Sequence, residues 1–384
     1  MRHRRSFGLV AALLIGLSSA VAGQVSHADA TAIENYLEQV RDATGVPGIT
    51  AAVGLDGAIV YAGGVGHAEL DNRTPADGST VLNVGSISKV ITTVAIMQLL
   101  ERGSVRLEHS IRQFVPAFPD KGVAISLRHI LTHTSGIRHY RSGEFGPYGL
   151  TEMRHFDSID EAIAIFKDDP LLFSPGAFWS YSSHAFNLLQ GGVEKASGME
   201  FEDYLTAYVW EPAGMLGTQF DVPERVVHRR GRGYVRDEAG RLVNSGYVDV
   251  SYKYASGGML STVSDLVRFA MAINDGTLLG PEAVARMYTV EVDPVMIFSS
   301  DGEAQLGDYR QAIGWRLDTD VQGRTYINHT GTVRGTRSVL INYPDVGLVV
   351  ALQANSLPFD SRKHGQALAQ MFLPPAPGGA GRER

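Results

Sequence analysis

Apolar positions along the chain follow two rhythms, and the rhythm changes twice. Between Thr31 and Thr44, Ile33, Tyr36, Leu37 and Val40 recur at the spacing of an amphipathic helix, which Gly45 and Pro47-Gly48 stop. Ile49 to Val53 and Ala58 to Ala62 then flank Asp56-Gly57, a dipeptide that accepts the positive backbone angles of a tight turn, so a β-hairpin is expected. A polar loop from Asp71 to Thr80 follows. Ser88 to Arg102 is apolar almost all round and predicts a buried helix closed by Gly103.

From there to about Gly258, Pro116, Pro119, Pro147, Pro170, Pro175 and Pro212 divide the pattern into short helices and long loops. β-Branched residues return in Arg324 to Asn328, Arg337 to Asn342 and Gly347 to Gln353, with Tyr343-Pro344-Asp345 as a turn. A last helix, Lys363 to Phe372, ends at Pro374-Pro375. Strands at both ends with helices between predict an α/β (α+β) fold: an antiparallel sheet built from both chain termini, flanking helices, and a mostly helical inserted region. The expected catalytic domain is 31–373, its α/β part about 31–85 and 259–373 and its helical part about 86–258. The Pro-, Gly- and Arg-rich tail 374–384 is expected to be disordered.

Composition narrows the function classes. The 384 residues are 44% hydrophobic and 20% charged, enough for a large core. A net charge of -7 gives no general basic field for nucleic acid. The complete lack of cysteine excludes disulfides, thiolate metal sites and a cysteine nucleophile together. Arg2, Arg4 and Arg5 precede an apolar run, Phe7 to Leu17, too short for a membrane span and followed by the small-residue site Ala20-Val21-Ala22. Residues 1–22 therefore read as a signal peptide, giving a periplasmic or secreted protein with no membrane span after cleavage. A retained N-terminal anchor is the rival reading.

Three groups of residues carry chemistry. Ser86-Ile87-Ser88-Lys89 lies at the mouth of the buried helix, where a spacing of three puts hydroxyl and amine on one face. Burial disfavours the ammonium and leaves the amine able to take the serine proton. The tetrapeptide alone is weak, recurring by chance on the order of once per chain of this length. Trp179-Ser180-Tyr181-Ser182-Ser183 offers a phenol for proton relay, though a lone tyrosine is more often simply packed. His329-Thr330-Gly331, read as the end of a strand, lets backbone approach substrate closely and present N–H groups to an oxyanion.

Taken in order, Ser86-x-x-Lys89, Tyr181-x-Ser183 and His329-Thr330-Gly331 resemble the motifs of the serine beta-lactamase and penicillin-binding-protein superfamily, and most closely its class C beta-lactamase branch. Leu127-Arg128-His129-Ile130-Leu131-Thr132-His133-Thr134-Ser135-Gly136 and Gly257-Gly258-Met259-Leu260-Ser261-Thr262 agree with it. Gly136-Ile137-Arg138-His139-Tyr140 and Tyr247-Val248-Asp249 resemble the mitochondrial serine beta-lactamase-like proteins and their bacterial relatives. The similarity runs from about Thr31 to about Phe372.

The resemblance implies that Ser86 is acylated, that Lys89 and Tyr181 move its proton, and that the backbone N–H groups of Ser86 and Thr332 form an oxyanion hole. It also implies that Ser183, His329, Thr330 and Gly331 contact substrate. Two positions depart from the pattern. Ser183 stands where asparagine usually ends the tyrosine motif, so its reach to a substrate amide is shorter. His329 stands where lysine often opens the third motif, which removes a fixed positive charge; Arg334 or Arg337 is a candidate to replace it.

Other sites compete poorly. His129 and His133 have zinc-chelating spacing, but Ile130 occupies the zincin glutamate position and no third ligand is evident, so both read as structural. The basic run His228 to Tyr234 reads as a solvated loop. Neither a Gly-x-Ser-x-Gly elbow nor a phosphate or dinucleotide loop is present. The expectation is an exported, metal- and cofactor-independent serine hydrolase acting on a small-molecule or peptide substrate: an ester, amide or peptide, with beta-lactams and D-amino-acid peptides in range. The alternative is a non-catalytic penicillin-binding-like receptor or scaffold. Oligomeric state stays open.

Overall fold

The computed structural model describes residues 27–141, 144, 153–293, 295–298, 303–307, 310–333 and 335–373. The expected signal segment, Arg334 and the expected tail lie outside the described residues.

In chain order, α1 (His27–Thr44) leads to β1 (Gly48–Leu55), β2 (Ala58–Glu69) and the short β3 (Thr74–Pro75). Three long helices follow among shorter ones: α2 (Ser88–Glu101), α3 (Ser183–Ser197) and α4 (Val263–Asn274). The chain returns to the sheet through β4 (Arg310–Gln311), β5 (Arg316–Thr319), β6 (Thr325–Val333), β7 (Thr336–Tyr343) and β8 (Leu348–Ala354), and α5 (Ser361–Gln370) follows. The eight strands form one sheet in the order β4-β5-β6-β7-β8-β1-β2-β3, every neighbouring pair antiparallel. N- and C-terminal segments thus meet at its centre, where β1 pairs with β8 from Ile49↔Ala354 to Leu55↔Leu348.

Alternation of side chains across the pleat explains why β1 and β8 read as unbroken apolar runs. Ile49, Ala51, Val53, Val350 and Leu352 pack with Ile33 and Leu37 of α1 and Leu368 of α5. Ala52, Val349 and Ala351 face the other way, into a core shared with Leu266, Val267 and Ala270 of α4 and with α2. Both faces are covered.

The hairpin turn forms as expected, with Asp56 and Gly57 at φ +49° and +80°. β2 runs beyond the anticipated Ala62 to Glu69, because its glycines serve close approach to neighbouring backbone and do not end the strand. A Cβ on Gly64 would stand 2.8 Å from the Ala76 carbonyl oxygen and 2.9 Å from that of Ile49. β6 is also longer than its apolar run and continues to Val333, so His329-Thr330-Gly331 lies inside the strand and not at its end.

α2 is buried from Ser88 to Leu99. It packs against α3 and the short helix Tyr254–Gly257, and is closed by Gly103, whose φ of +73° suits a helix-closing glycine. A three-stranded ladder of Leu82–Asn83, Met259–Ser261 and Gln219–Phe220 holds the segment entering α2. Among the described residues no helix is long and apolar enough to cross a membrane.

Candidate active site

Ser86 sits in a single 3-10 turn, Gly85–Ile87, that runs directly into α2. Gly85 has φ +54°, its N–H donates to Asn83 Oδ1 at 3.1 Å, and its carbonyl accepts from Ser88 Oγ at 2.8 Å. One turn further in, Lys89 is fully buried. Its Nζ lies 3.2 Å from Ser86 Oγ, 2.9 Å from Ser183 Oγ and 2.7 Å from the Ser256 carbonyl oxygen. No carboxylate accompanies it in these contacts. Burial, and secondarily the nearby Arg316 charge, hold the Lys89 pKa well below the usual lysine range.

In its neutral form the amine, with two N–H donors and one lone pair, can give its N–H groups to the Ser256 carbonyl and Ser183 Oγ and keep the lone pair for the Ser86 O–H. The Ser86 and Ser183 side chains lie near enough to the Tyr181 phenol for each to pull its pKa down, and its ring centroid is 4.9 Å from Lys89 Nζ. Burial raises the Tyr181 pKa above its ordinary value, against a smaller opposing effect of Arg316. Hydroxyl, amine and phenol therefore meet as one proton-transfer cluster.

The tyrosine is fixed by its surroundings. Its ring packs 4.5 Å from that of His133, and α3 begins two residues later. Ser182 caps α3, accepting from the Ala185 N–H at 3.0 Å while donating to the Arg138 carbonyl at 2.8 Å. Nδ1 of His133 accepts the Ser182 N–H and Nδ1 of His139 accepts the Ser183 N–H, each at 3.2 Å. Both rings must be unprotonated at that nitrogen. Burial lowers both histidine pKa values, that of His139 to about 3.

The opposite wall is β6. Alternation turns Thr330 and Thr332 toward the cleft and His329 and Gly331 away from it. A Cβ on Gly331 would lie 1.8 Å from the Val84 carbonyl oxygen and 3.0 Å from Ser86 N; one on Gly85 would lie 2.5 Å from Thr332 N. Only glycine fits either position, and the contact brings the Ser86 and Thr332 amides alongside each other.

His329 and Ser183 have surroundings that the motifs alone did not suggest. His329 is 2% exposed, its side chain turned away from the cleft. Its Nδ1 donates to the Thr330 carbonyl at 2.7 Å and its ring stands 6.4 Å from that of Tyr181. Ser183 lines the cleft, and its Oγ also accepts a hydrogen bond from Lys89 Nζ, so it belongs to the proton network too.

Arg337, a candidate from the sequence, lines the roughly 390 Å³ cleft. Other cleft residues had gone unread: Arg316, Tyr140, Lys253 and Ser256. Tyr140 stacks on His139 at 4.3 Å, and Lys253 lies 5.9 Å from its ring. Ser256 takes part through its backbone carbonyl, which no side-chain motif can signal. Arg316, one arginine in a short strand, has no local signature. Tyr140 and His139 lay within a stretch that carried the resemblance and were open to assignment there.

The competing sites have other employment. The helix holding His129 ends at Leu131, so His133, with φ +58°, does not share its face, and His129 Nδ1 accepts from the Ser126 N–H at 3.3 Å. In the basic run, Arg229, Arg230 and Arg232 pair with Asp77, Asp221 and Asp71.

A buried lysine beside a helix-mouth serine and a tyrosine, set against a strand through paired glycines, is a site of the serine-hydrolase class that includes beta-lactamases and penicillin-binding proteins. A family model described as Beta-lactamase matches residues 33–371, and the chain belongs to that family of serine hydrolases. The human mitochondrial serine beta-lactamase-like protein LACTB is 30% identical over 403 residues, covering 82% of this chain and 73% of that protein. Penicillin-binding protein 4* of Bacillus subtilis (strain 168) is 30% identical over 312 residues, covering 77% of this chain and 65% of that protein. Among solved structures, the octameric penicillin-binding protein homologue from Pyrococcus abyssi superposes with a TM-score of 0.76 at 27% identity, over 89% of this chain and 77% of the other.

Proposed function

We propose that the protein hydrolyses ester, amide or peptide bonds through an acyl-Ser86 intermediate. The observation that carries this reading is the contact of the fully buried Lys89 Nζ with Ser86 Oγ at 3.2 Å, with no carboxylate among its hydrogen-bond partners. Lys89 takes the Ser86 proton as Oγ attacks the substrate carbonyl, and negative charge gathers on the carbonyl oxygen between the Ser86 and Thr332 amides. The Tyr181 phenol donates a proton to the leaving group and is restored from Lys89 by way of Ser183. Water then attacks the ester, with Lys89 and Tyr181 exchanging protons in reverse to release Ser86. A purely binding protein would have no use for a desolvated amine beside a serine, since burying it costs stability.

A burst of product equal in amount to enzyme is expected with activated esters, together with covalent labelling by a fluorophosphonate or a fluorescent penicillin. Full turnover by Ser86→Ala would eliminate the acyl-serine route. We further propose export, supported by the arginine-flanked apolar run and the Ala20-Val21-Ala22 site. The mass of the mature protein from a fractionated culture tests it, and an intact N-terminus in the cytoplasmic fraction would rule it out.

A further inference from the structure

Arg316, Thr330 and Arg337 line the reactive cleft and also a second groove of about 730 Å³. This groove continues to the start of α5, where Arg362 and Lys363 line it. Among the described residues its one lining carboxylate is Asp360, which caps α5 by accepting the Lys363 N–H at 3.1 Å. Behind Arg362, Asp318 Oδ2 lies 3.3 Å from its Nη1 and also accepts from Asn328 Nδ2 at 2.8 Å. His364 lines the groove with its Nδ1 3.0 Å from the Tyr36 hydroxyl, and burial lowers its pKa, so it adds no charge at neutral pH. Four cationic side chains thus share a groove with one carboxylate.

Holding like charges together costs free energy unless something offsets it. Arg337 shows the effect: burial, then repulsion by Arg316 and Arg362 against the pull of Asp360, lowers its pKa. One Nη donates to Thr332 Oγ1, but its Nε is buried with no hydrogen-bond partner among the described residues. Guanidinium forks are suited to oxyanions, which they bind through paired N–H groups.

We propose that this groove seats a dianionic oxyanion group, a phosphate monoester or a pair of carboxylates, carried by the acyl substrate beyond its reacting carbonyl. The proposal rests on the acyl-Ser86 reading for the word substrate, while the groove's affinity for the anion is independent of it.

Two measurements separate these. Calorimetry of inorganic phosphate and of malonate with Ser86→Ala protein needs no turnover; heat of binding that weakens with salt and is lost in Arg362→Gln/Lys363→Gln is expected. In active protein, nitrophenyl esters whose acyl chains end in methyl, malonyl or phosphate are compared. An anionic end is expected to raise kcat/KM about tenfold or more over methyl, and the double variant, checked for fold by circular dichroism, to remove most of that ratio. A greater gain for phosphate or for malonyl identifies which anion is preferred. No binding heat with either anion, or a flat ester series in active protein, overturns the proposal. An enzyme that binds phosphate but turns over no ester and takes no fluorophosphonate label refutes the acyl-Ser86 reading, and with it the substrate part of the proposal.

Discussion

Lys89 occupies an apolar helix with no carboxylate among its hydrogen-bond partners, a position that makes sense only if its charge is given up. Its depressed pKa and the raised pKa of Tyr181 set the pH response. The base must be unprotonated, so kcat/KM falls as pH drops through the Lys89 pKa; the acid must be protonated, so it falls again only above the raised Tyr181 pKa. Between them activity is expected to be flat. Lys89→Met should move the acidic limb out of existence along with turnover, lowering kcat by roughly a thousandfold or more. The same variant should unfold at an equal or higher temperature in calorimetry, because it replaces a desolvated amine by an apolar chain of similar length. Retained turnover in Lys89→Met, or an acidic limb that does not move, would remove Lys89 from the role of base. Ser86 and Lys89 share one helical turn of sequence and stood out once the two later motifs were set beside them, whereas Arg316, which adds to burial in depressing the Lys89 pKa from a distant strand, did not.

At the scale of elements, two junctions hold the cluster together. The first is the contact of β6 with the Gly85 turn. Gly331→Ala would drive a methyl into the Val84 carbonyl, so the strand must retreat from Ser86. The expected loss is on the order of a hundredfold in kcat from a displaced oxyanion donor, with about 1–3 kcal/mol of destabilisation in urea titration. An active, equally stable variant would contradict the close approach. The second junction is the start of α3, where His133 and His139 accept backbone N–H groups. Their folded pKa values lie below 6.5, that of His139 at about 3, so the unfolded chain binds more protons than the folded one as pH falls. Stability from these rings is fully present above pH 6.5 and declines as pH drops from there toward 3. The unfolding temperature is expected to fall across that window, and less steeply in His139→Gln, whose amide oxygen can still accept.

For the molecule as a whole, the chain ends decide foldability. β1 and β8 are central strands buried on both faces, and the core containing α2 includes residues of β8. Removal of residues 348–373 should therefore unfold the intervening helices as well, giving loss of far-UV helical signal and rapid proteolysis. A stable, protease-resistant helical fragment would show that the insertion folds by itself.

Residue spacing and apolar period were enough to read β1, β2, β6, β7 and β8 at least in part, the buried helix and the antiparallel class, while the serine, lysine and tyrosine stood out as an ordered set of motifs resembling a known family. Each of those follows from interactions within a few positions along the chain, or from a motif written in adjacent residues. The full extent of β6, the burial of His329 and the partnership of Ser183 with Lys89 depended on which backbone came to lie alongside. So did the meeting of Arg316, Arg337 and Arg362, which stand on three separate elements. Burial and Coulomb interaction act through space between groups that local sequence does not connect, and only the folded chain brings them within reach of one another.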